Sequence, residues 1–298
     1  MDELCGIINI YKEKGYTSHD VVNIVRKKLN RVKTGHTGTL DPDACGVLPI
    51  CIGKATKTAE YIASDIKRYM AVLTLGAFTT TQDISGEIIQ SFDVNCNENE
   101  IINAVESFRG DILQTPPMYS AIKINGKKLY ELAREGKTIE RKKRKVTIYD
   151  IRVLEFKDKR NIVIDVICSK GTYIRTLCND IGEKLGCGGF MSELTRTRTG
   201  NFYIEDSIKL AEFSEKADLG KIEDILMPIE DVMPDMKKAK AASAADKYVI
   251  NGNKINLSYL DRKDIDDGEN FFVYKNDGKL VGIYKKENEF AKPVTMLM

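Results

Sequence analysis

Along the chain, apolar positions recur with two periods, and the changes between them outline the elements. Residues 6–11 (GIINIY) are nearly continuously apolar and predict a buried strand. Ser18 is placed to cap a helix from about 19 to 29, with Val22, Val25 and Leu29 on one face. Residues 69–76 predict a further strand, and Asn97 opens an amphipathic helix carrying Ile101, Val105 and Phe108. Residues 118–124 read as a strand entering an Asn125-Gly126 turn, a strong hairpin signal. Residues 146–156 and 162–168 predict a pair of long strands. A helix over 172–185 follows, stopped by Gly186, with Ile174, Leu177, Ile181 and Leu185 apolar.

Strands and helices mix without regular alternation, which predicts an α+β fold with a mixed or antiparallel central sheet and flanking helices. After Pro228 and Pro234 comes KKAKAASAAD, small and polar, expected as a boundary between residues 1–234 and a β-rich unit over 239–298. In that unit, FFVYKNDGKLVGIY reads as two strands around a turn at Asn276-Asp277-Gly278.

Composition narrows the function classes. At 298 residues, 42% apolar and 30% charged, the chain suits one large and one small globular domain. Its longest apolar stretches, such as 47–52, fall far short of the roughly 18 residues of a membrane span. The N-terminal sequence is acidic before it is apolar, the reverse of a secretory signal, so a cytoplasmic protein is expected. Seven cysteines without a CxxC pair, and only His19 and His36, match no zinc pattern; reduced packing cysteines and no metal are expected. Net charge is only +2, but residues 123–145 hold ten basic side chains against three acidic, a local +7. Such a run is either a solvated helix face or a surface that contacts phosphates.

Residues 35–53 (GHTGTLDPDACGVLPICIG) are the most unusual segment. Glycines at 35, 38, 46 and 53 surround His36, two threonines and Asp41-Pro42. That density of glycine marks a backbone that turns sharply or lies close to a ligand, and proline biases Asp41 away from helical angles. The residues alone also allow a structural loop with Asp41 as a helix cap. A phosphate-binding loop does not fit, since neither GK[ST] nor GxGxxG spacing is present.

The segment from Gly35 to Lys57 resembles the catalytic segment of the tRNA pseudouridine synthase B (TruB) family. Further segments resemble that family in the same order: Lys67-Arg68-Tyr69, residues 79–86 (TTTQDISG), Phe108-Arg109-Gly110, residues 116–121 (PPMYSA), residues 169–175 (SKGTYIR) and Leu194-Thr195-Arg196. The similarity runs almost continuously from about 5 to 205.

It implies an enzyme that forms pseudouridine at position 55 in the T-loop of tRNA, breaking the C1′–N1 bond, turning the base and rejoining it through C5. A carboxylate beside C1′ acts as nucleophile or stabilises positive charge there, and the base must first be flipped out of its stack. By resemblance Asp41 is the essential carboxylate, Arg175 the cation that depresses its pKa, and Tyr69 the residue that stacks on the uracil and handles its proton. Tyr173 and Leu194 complete the pocket walls, His36 supports the flipped loop, and Asp83 contacts the rearranged T-loop. Lys12 joins the substrate-binding set, in a Lys12-Glu13 pair where the family usually has Lys-Pro. Thr80 stands where an aspartate is common.

Resemblance also makes residues 123–145 a thumb that clamps tRNA, with a lysine-rich helix after the hairpin, and the tail a PUA-like RNA-binding domain. No cofactor, no metal and no obligate protein partner are implied, and a monomer is expected. Two rival readings are a tRNA-binding folding chaperone that needs no chemistry, and an RNA-guided synthase, which the thumb disfavours.

Overall fold

The computed structural model describes residues 4–63, 66–120, 122–124 and 126–298. In chain order the elements of the larger body begin with β1 (Gly6–Lys12), α1 (Ser18–Lys28), β2 (Thr34–His36), β3 (Cys45–Ile52), α2 (Ala59–Ile62) and β4 (Ile66–Leu75). A side hairpin of β5 (Ala77–Thr79) and β6 (Ile88–Ser91) precedes α3 (Glu98–Glu106) and β7 (Gly110–Gln114). Then come β8 (Lys123–Ile124), β9 (Lys127–Lys128), α4 (Leu129–Arg134), β10 (Arg144–Phe156) and β11 (Asn161–Ser169). The body continues with α5 (Ile174–Lys184), β12 (Gly189–Thr199), β13 (Phe202–Tyr203), β14 (Ile208–Lys209) and α6 (Leu210–Asp218).

Among the described residues ten of these strands form one mixed sheet, ordered β14-β1-β3-β12-β4-β11-β10-β7, with β2 added to β3 and β13 to β12. Most pairs are antiparallel, but β12 lies parallel to β3 and β14 to β1, as the irregular alternation in the sequence requires. The continuous apolar run of β1 reflects burial on both faces. Ile8 and Ile10 pack with Leu48, Ile50 and Ile52 under α1 and α6. Ile7, Val47 and Cys51 point the other way. Helices α3 and α5 cover the centre of the sheet, where Ile101, Val105, Leu177 and Ile181 meet Leu73, Ile148 and Ile164.

Several local expectations are corrected. Thr17, not Ser18, caps α1: its side chain accepts from the Asp20 amide while Asp20 accepts from the Thr17 amide. Ser18 is freed for another contact, described below. The stretch 118–120 is bent rather than extended, with the Ser120 amide bonded back to the Met118 carbonyl. Only β8 and β9 form the hairpin, paired Lys123 to Lys128 and Ile124 to Lys127, and Asn125 of the expected turn lies outside the described residues. No lysine-rich helix follows. Helix α4 ends at Arg134, Gly136 adopts a left-handed φ of 71°, and of the basic run 141–145 the first three residues are irregular chain while Arg144 and Lys145 open β10. Five adjacent like charges are poor helix material.

The stretch expected as the boundary already belongs to a second sheet. Lys238–Lys240 is a strand, parallel to Asn270–Tyr274, in a five-stranded sheet completed by Leu280–Glu287, Phe290–Met296 and Ile255–Asn256. Its small residues are there for packing: Ala239, Ala241 and Ala245 lie buried against Val249, Phe271 and Tyr284. The two sheets share a third core, in which Phe272, Ile283 and Leu297 pack with Ile7, Val47, Ile229 and Val232.

Candidate active site

Asp41 lies in the loop between β2 and β3, and the backbone of that loop is clamped from three directions. The Ser18 hydroxyl accepts from the Leu40 amide at 2.8 Å and donates to the Leu40 carbonyl at 3.1 Å. The Gly15 amide donates to the Pro42 carbonyl at 2.9 Å, and the Lys12 ammonium donates to the same carbonyl at 3.2 Å. From the far side Arg196 donates to the carbonyls of Val47 (2.8 Å), Gly38 (3.1 Å) and Thr39 (3.4 Å). Gly46 allows this approach: at φ 106°, a β-carbon there would sit 2.2 Å from the Arg196 carbonyl oxygen.

Lys12 is a correction to the substrate-binding set. It has no exposed surface, and its three N–H donors are spent on the carbonyls of Glu13 (3.1 Å), Tyr16 (2.6 Å) and Pro42. It supports the floor of the Asp41 loop and presents nothing to RNA. Burial pulls its pKa down to about 8.

The first turn of α5 carries Arg175 into the site, 6% exposed. One of its terminal nitrogens donates to one Asp41 carboxylate oxygen at 3.2 Å and to the Tyr119 carbonyl at 2.8 Å, and lies 3.1 Å from the second Asp41 oxygen. The other reaches Asp83 at 3.4 Å. Asp83 is itself held by the Thr81 and Ser85 hydroxyls, each at 2.5 Å, and by the Ser85 amide at 3.1 Å. The bend at 118–120 that displaced the expected strand is thus what delivers a carbonyl to Arg175. Asp41 keeps 39% of its side chain exposed, whereas Arg175 beneath it is covered.

The expected depression of the Asp41 pKa is reversed. Burial of the carboxyl in the cleft wall raises it above the usual range, more than Arg175 lowers it, and the second carboxylate, Asp83, adds to the rise.

The remaining predicted residues lie on β2, β4, β12 and just ahead of α5. Tyr69 on β4 lies directly across from Arg196 on β12 and packs with Leu40, Ala44 and Leu194. Burial pushes its phenol up to about 12, against the opposing charge of the Arg196 guanidinium. Tyr173 is half-buried, its ring 6.0 Å from the Arg175 guanidinium carbon. His36 is half-buried on β2, its Nδ1 without a partner among the described residues; burial and then the charge of Arg196 lower its pKa. Among the described residues no group of three or more His, Cys, Asp or Glu side chains is placed to hold a metal ion.

Two contributors escape a reading of the sequence. Gln114, 1% exposed at the end of β7, brackets the Tyr173 backbone, accepting from its amide at 3.0 Å and donating to its carbonyl at 3.2 Å. Nothing local in the sequence marks it. Arg196 stands inside a quoted motif without a role, although an arginine two positions after inward-facing Leu194 on an alternating strand is a visible signal.

The site thus sets a part-exposed carboxylate from the β2–β3 loop on a buried arginine of α5. The sequence matches the model of the TruB family pseudouridylate synthase (N terminal domain) over residues 26–174. A second match, to the tRNA pseudouridylate synthase B C-terminal domain, covers 175–233.

Relatives named tRNA pseudouridine synthase B include one from Alkaliphilus oremlandii, 56% identical over 86% of this chain and 84% of its own. Another, from Clostridium novyi, is 44% identical over 98% of this chain and 99% of its own. Among solved structures, a Cbf5-Nop10-Gar1 complex contains a chain with a TM-score of 0.75 and 29% identity, matching 98% of this chain and 85% of that one. An H/ACA RNP bound to a substrate RNA containing 2′-deoxyuridine gives 0.74 and 26%, over 98% and 85%. The chain belongs to the TruB family of pseudouridine synthases.

Proposed function

We propose that this chain converts a uridine of tRNA to pseudouridine, at position 55 in the T-loop, with Asp41 as its essential carboxylate. The observation that carries the reading is the placement of Asp41: half open to the cleft, with both oxygens on a guanidinium that is itself buried. Arg175 favours the ionised form against burial, and an ionised carboxylate is what the sugar carbon requires when its bond to N1 breaks. Uracil turns in the pocket between Tyr69, Tyr173 and Leu194. C5 then bonds to C1′, and the proton lost from C5 is balanced by one gained at N1, so the composition of the RNA does not change.

The tRNA substrate is supported by the names of relatives that match nearly the whole chain. The basic segment 123–145 fits a thumb over the T-arm, and the C-terminal sheet fits a PUA-like RNA-binding domain. We place the protein in the cytoplasm as a monomer acting without cofactor, metal or protein partner. The test is incubation of the purified chain, in excess chelator, with an unmodified T-arm hairpin of about seventeen nucleotides, followed by mapping of pseudouridine. Recognition rests on the shape of the loop and its splayed bases. Product at the one T-loop uridine is expected; binding without product would favour the chaperone reading.

A further inference from the structure

Gln114 ends β7 with a buried side chain that grips the backbone of a single residue. Its Oε1 accepts from the Tyr173 amide at 3.0 Å, and its Nε2 donates to the Tyr173 carbonyl at 3.2 Å. Backbone chemistry fixes which end of the side chain goes where, since an N–H only donates and a carbonyl only accepts. Tyr173 is a residue that needs such a partner. The chain leaves β11 through Gly171, at a left-handed φ of 82°, and Tyr173 stands extended ahead of α5 (φ −100°, ψ 108°) without a capping bond from its own side chain. Its carbonyl also accepts the first helical bond, from the Leu177 amide at 3.0 Å. Gln114 therefore fixes both Tyr173 and the line along which α5 sets out.

The segment that begins at Gln114 returns to α5 at Tyr119, whose carbonyl accepts from Arg175 at 2.8 Å. Between the two contacts lie Pro116 and Pro117, whose rings fix φ and stiffen the chain. Arg141 pins the middle of this strut by donating to the Pro116 carbonyl at 3.0 Å. A closed circuit results: from Gln114 to the Tyr173 backbone, along α5 to Arg175, across to the Tyr119 carbonyl, and back through the two prolines. A change at Gln114 reaches Arg175 both through α5 and through the strut.

We propose that Gln114 is a positioning residue for the isomerisation: by locking the start of α5 to the Pro116–Pro117 strut, it holds the Arg175 guanidinium on Asp41 and the Tyr173 ring against the base. A side-chain amide of this length supplies the donor and the acceptor that the Tyr173 backbone requires. The inference rests on the reading that Asp41 reacts at the sugar carbon. It adds a residue too deeply covered to touch RNA, which acts through Tyr173 and Arg175.

The test measures single-turnover rates and hairpin affinities across pH for wild type, Gln114→Met and Gln114→Asn, with the folded fraction of each taken from its melting curve. Methionine keeps the length and loses both hydrogen bonds; asparagine keeps the amide but falls one methylene short of Tyr173. Both variants should bind the hairpin within about threefold of wild type and turn over about tenfold or more slowly. Of the charged groups around Asp41 (Arg175, Asp83, Lys12 and Asp43), Arg175 lowers its pKa the most. A displaced Arg175 should therefore move the acid limb of the rate profile to higher pH, by about half a unit or more. A smaller folded fraction lowers the rate at every pH and leaves that limb in place.

A folded variant with the wild-type rate and acid limb would overturn the proposal. So would a loss of rate that only tracks the folded fraction, or one that leaves the acid limb unmoved. Where Gln114→Met does not fold, Gln114→Asn decides on the same criteria. Absence of product from wild type at every pH would instead remove the underlying reading of Asp41.

Discussion

At the scale of single residues, the site is organised by which polar groups are covered and which are left open. Asp41→Asn preserves shape and hydrogen bonding to Arg175 but removes the charge. It should abolish isomerisation while hairpin affinity stays within about threefold, since the basic surface supplies binding; substantial turnover by the purified variant would remove Asp41 from the chemistry. The pH profile should carry two signatures. Because burial raises the Asp41 pKa, activity should fall as pH drops through that raised value and the carboxylate is protonated.

On the alkaline side Lys12 loses a proton near pH 8, leaving two N–H donors for three carbonyls, one of which belongs to Pro42 next to Asp41. Activity should therefore decline as pH rises through about 8. Lys12→Met should be slower by about tenfold, from a looser loop, and should lack that alkaline decline while keeping the acid one. An unchanged alkaline limb in Lys12→Met would assign it to another group.

At the scale of elements, strands β3 and β12 make the site by lying parallel at Cys45–Thr195 and Gly46–Arg196. This pairing, together with bulges in β12 after Met191 and after Arg196, sets Leu194 and Arg196 against Asp41 and Tyr69. Helix α5 aims its first turn, and with it Arg175, at the same point.

The segment from β8 to β10 behaves differently. Its side chains at 142–145 are exposed, and among the described residues Lys145 alone of the four is salt-bridged, to Asp111 at 2.8 Å. Neutralising Lys142, Lys143, Arg144 and Lys145 together should weaken hairpin binding and flatten its dependence on salt. The log–log slope should fall by roughly 0.7 to 0.9 for each phosphate that is no longer neutralised. An unchanged slope would return the run to a merely solvated surface.

At the scale of the whole molecule, the C-terminal sheet is bonded to the catalytic body rather than strung from it. Phe272, Ile283 and Leu297 are buried in the core shared with Ile7 and Val47, and the Lys57 ammonium donates to the Met296 carbonyl at 2.8 Å. Each such apolar side chain contributes about 1.5–3 kcal/mol on burial. A chain ending before Lys238 should therefore melt about 10 °C or more below the full chain. A catalytic body that kept its melting temperature would show that the shared core contributes little to it.

What the sequence determined by itself was local or carried by contiguous motifs. The strand at Gly6–Lys12, the helix capped by Asn97, the long pair β10–β11 and the glycine-rich loop were legible because period, capping and turn chemistry act over a few residues. The family resemblance named Asp41, Tyr69 and Arg175 before any of them could be seen to meet. Only the tertiary structure decided the direction of the Asp41 shift, because burial depends on everything packed around the loop and not on Arg175 alone. It also decided that Lys12 is a strut, that Gln114 holds Tyr173 from 59 residues away, and that the alanines of the expected boundary are core. Arg196 marks the division most sharply: its identity is plain in the sequence, but its three acceptors are the carbonyls of Gly38, Thr39 and Val47, which reach it only when β3 and β12 lie side by side.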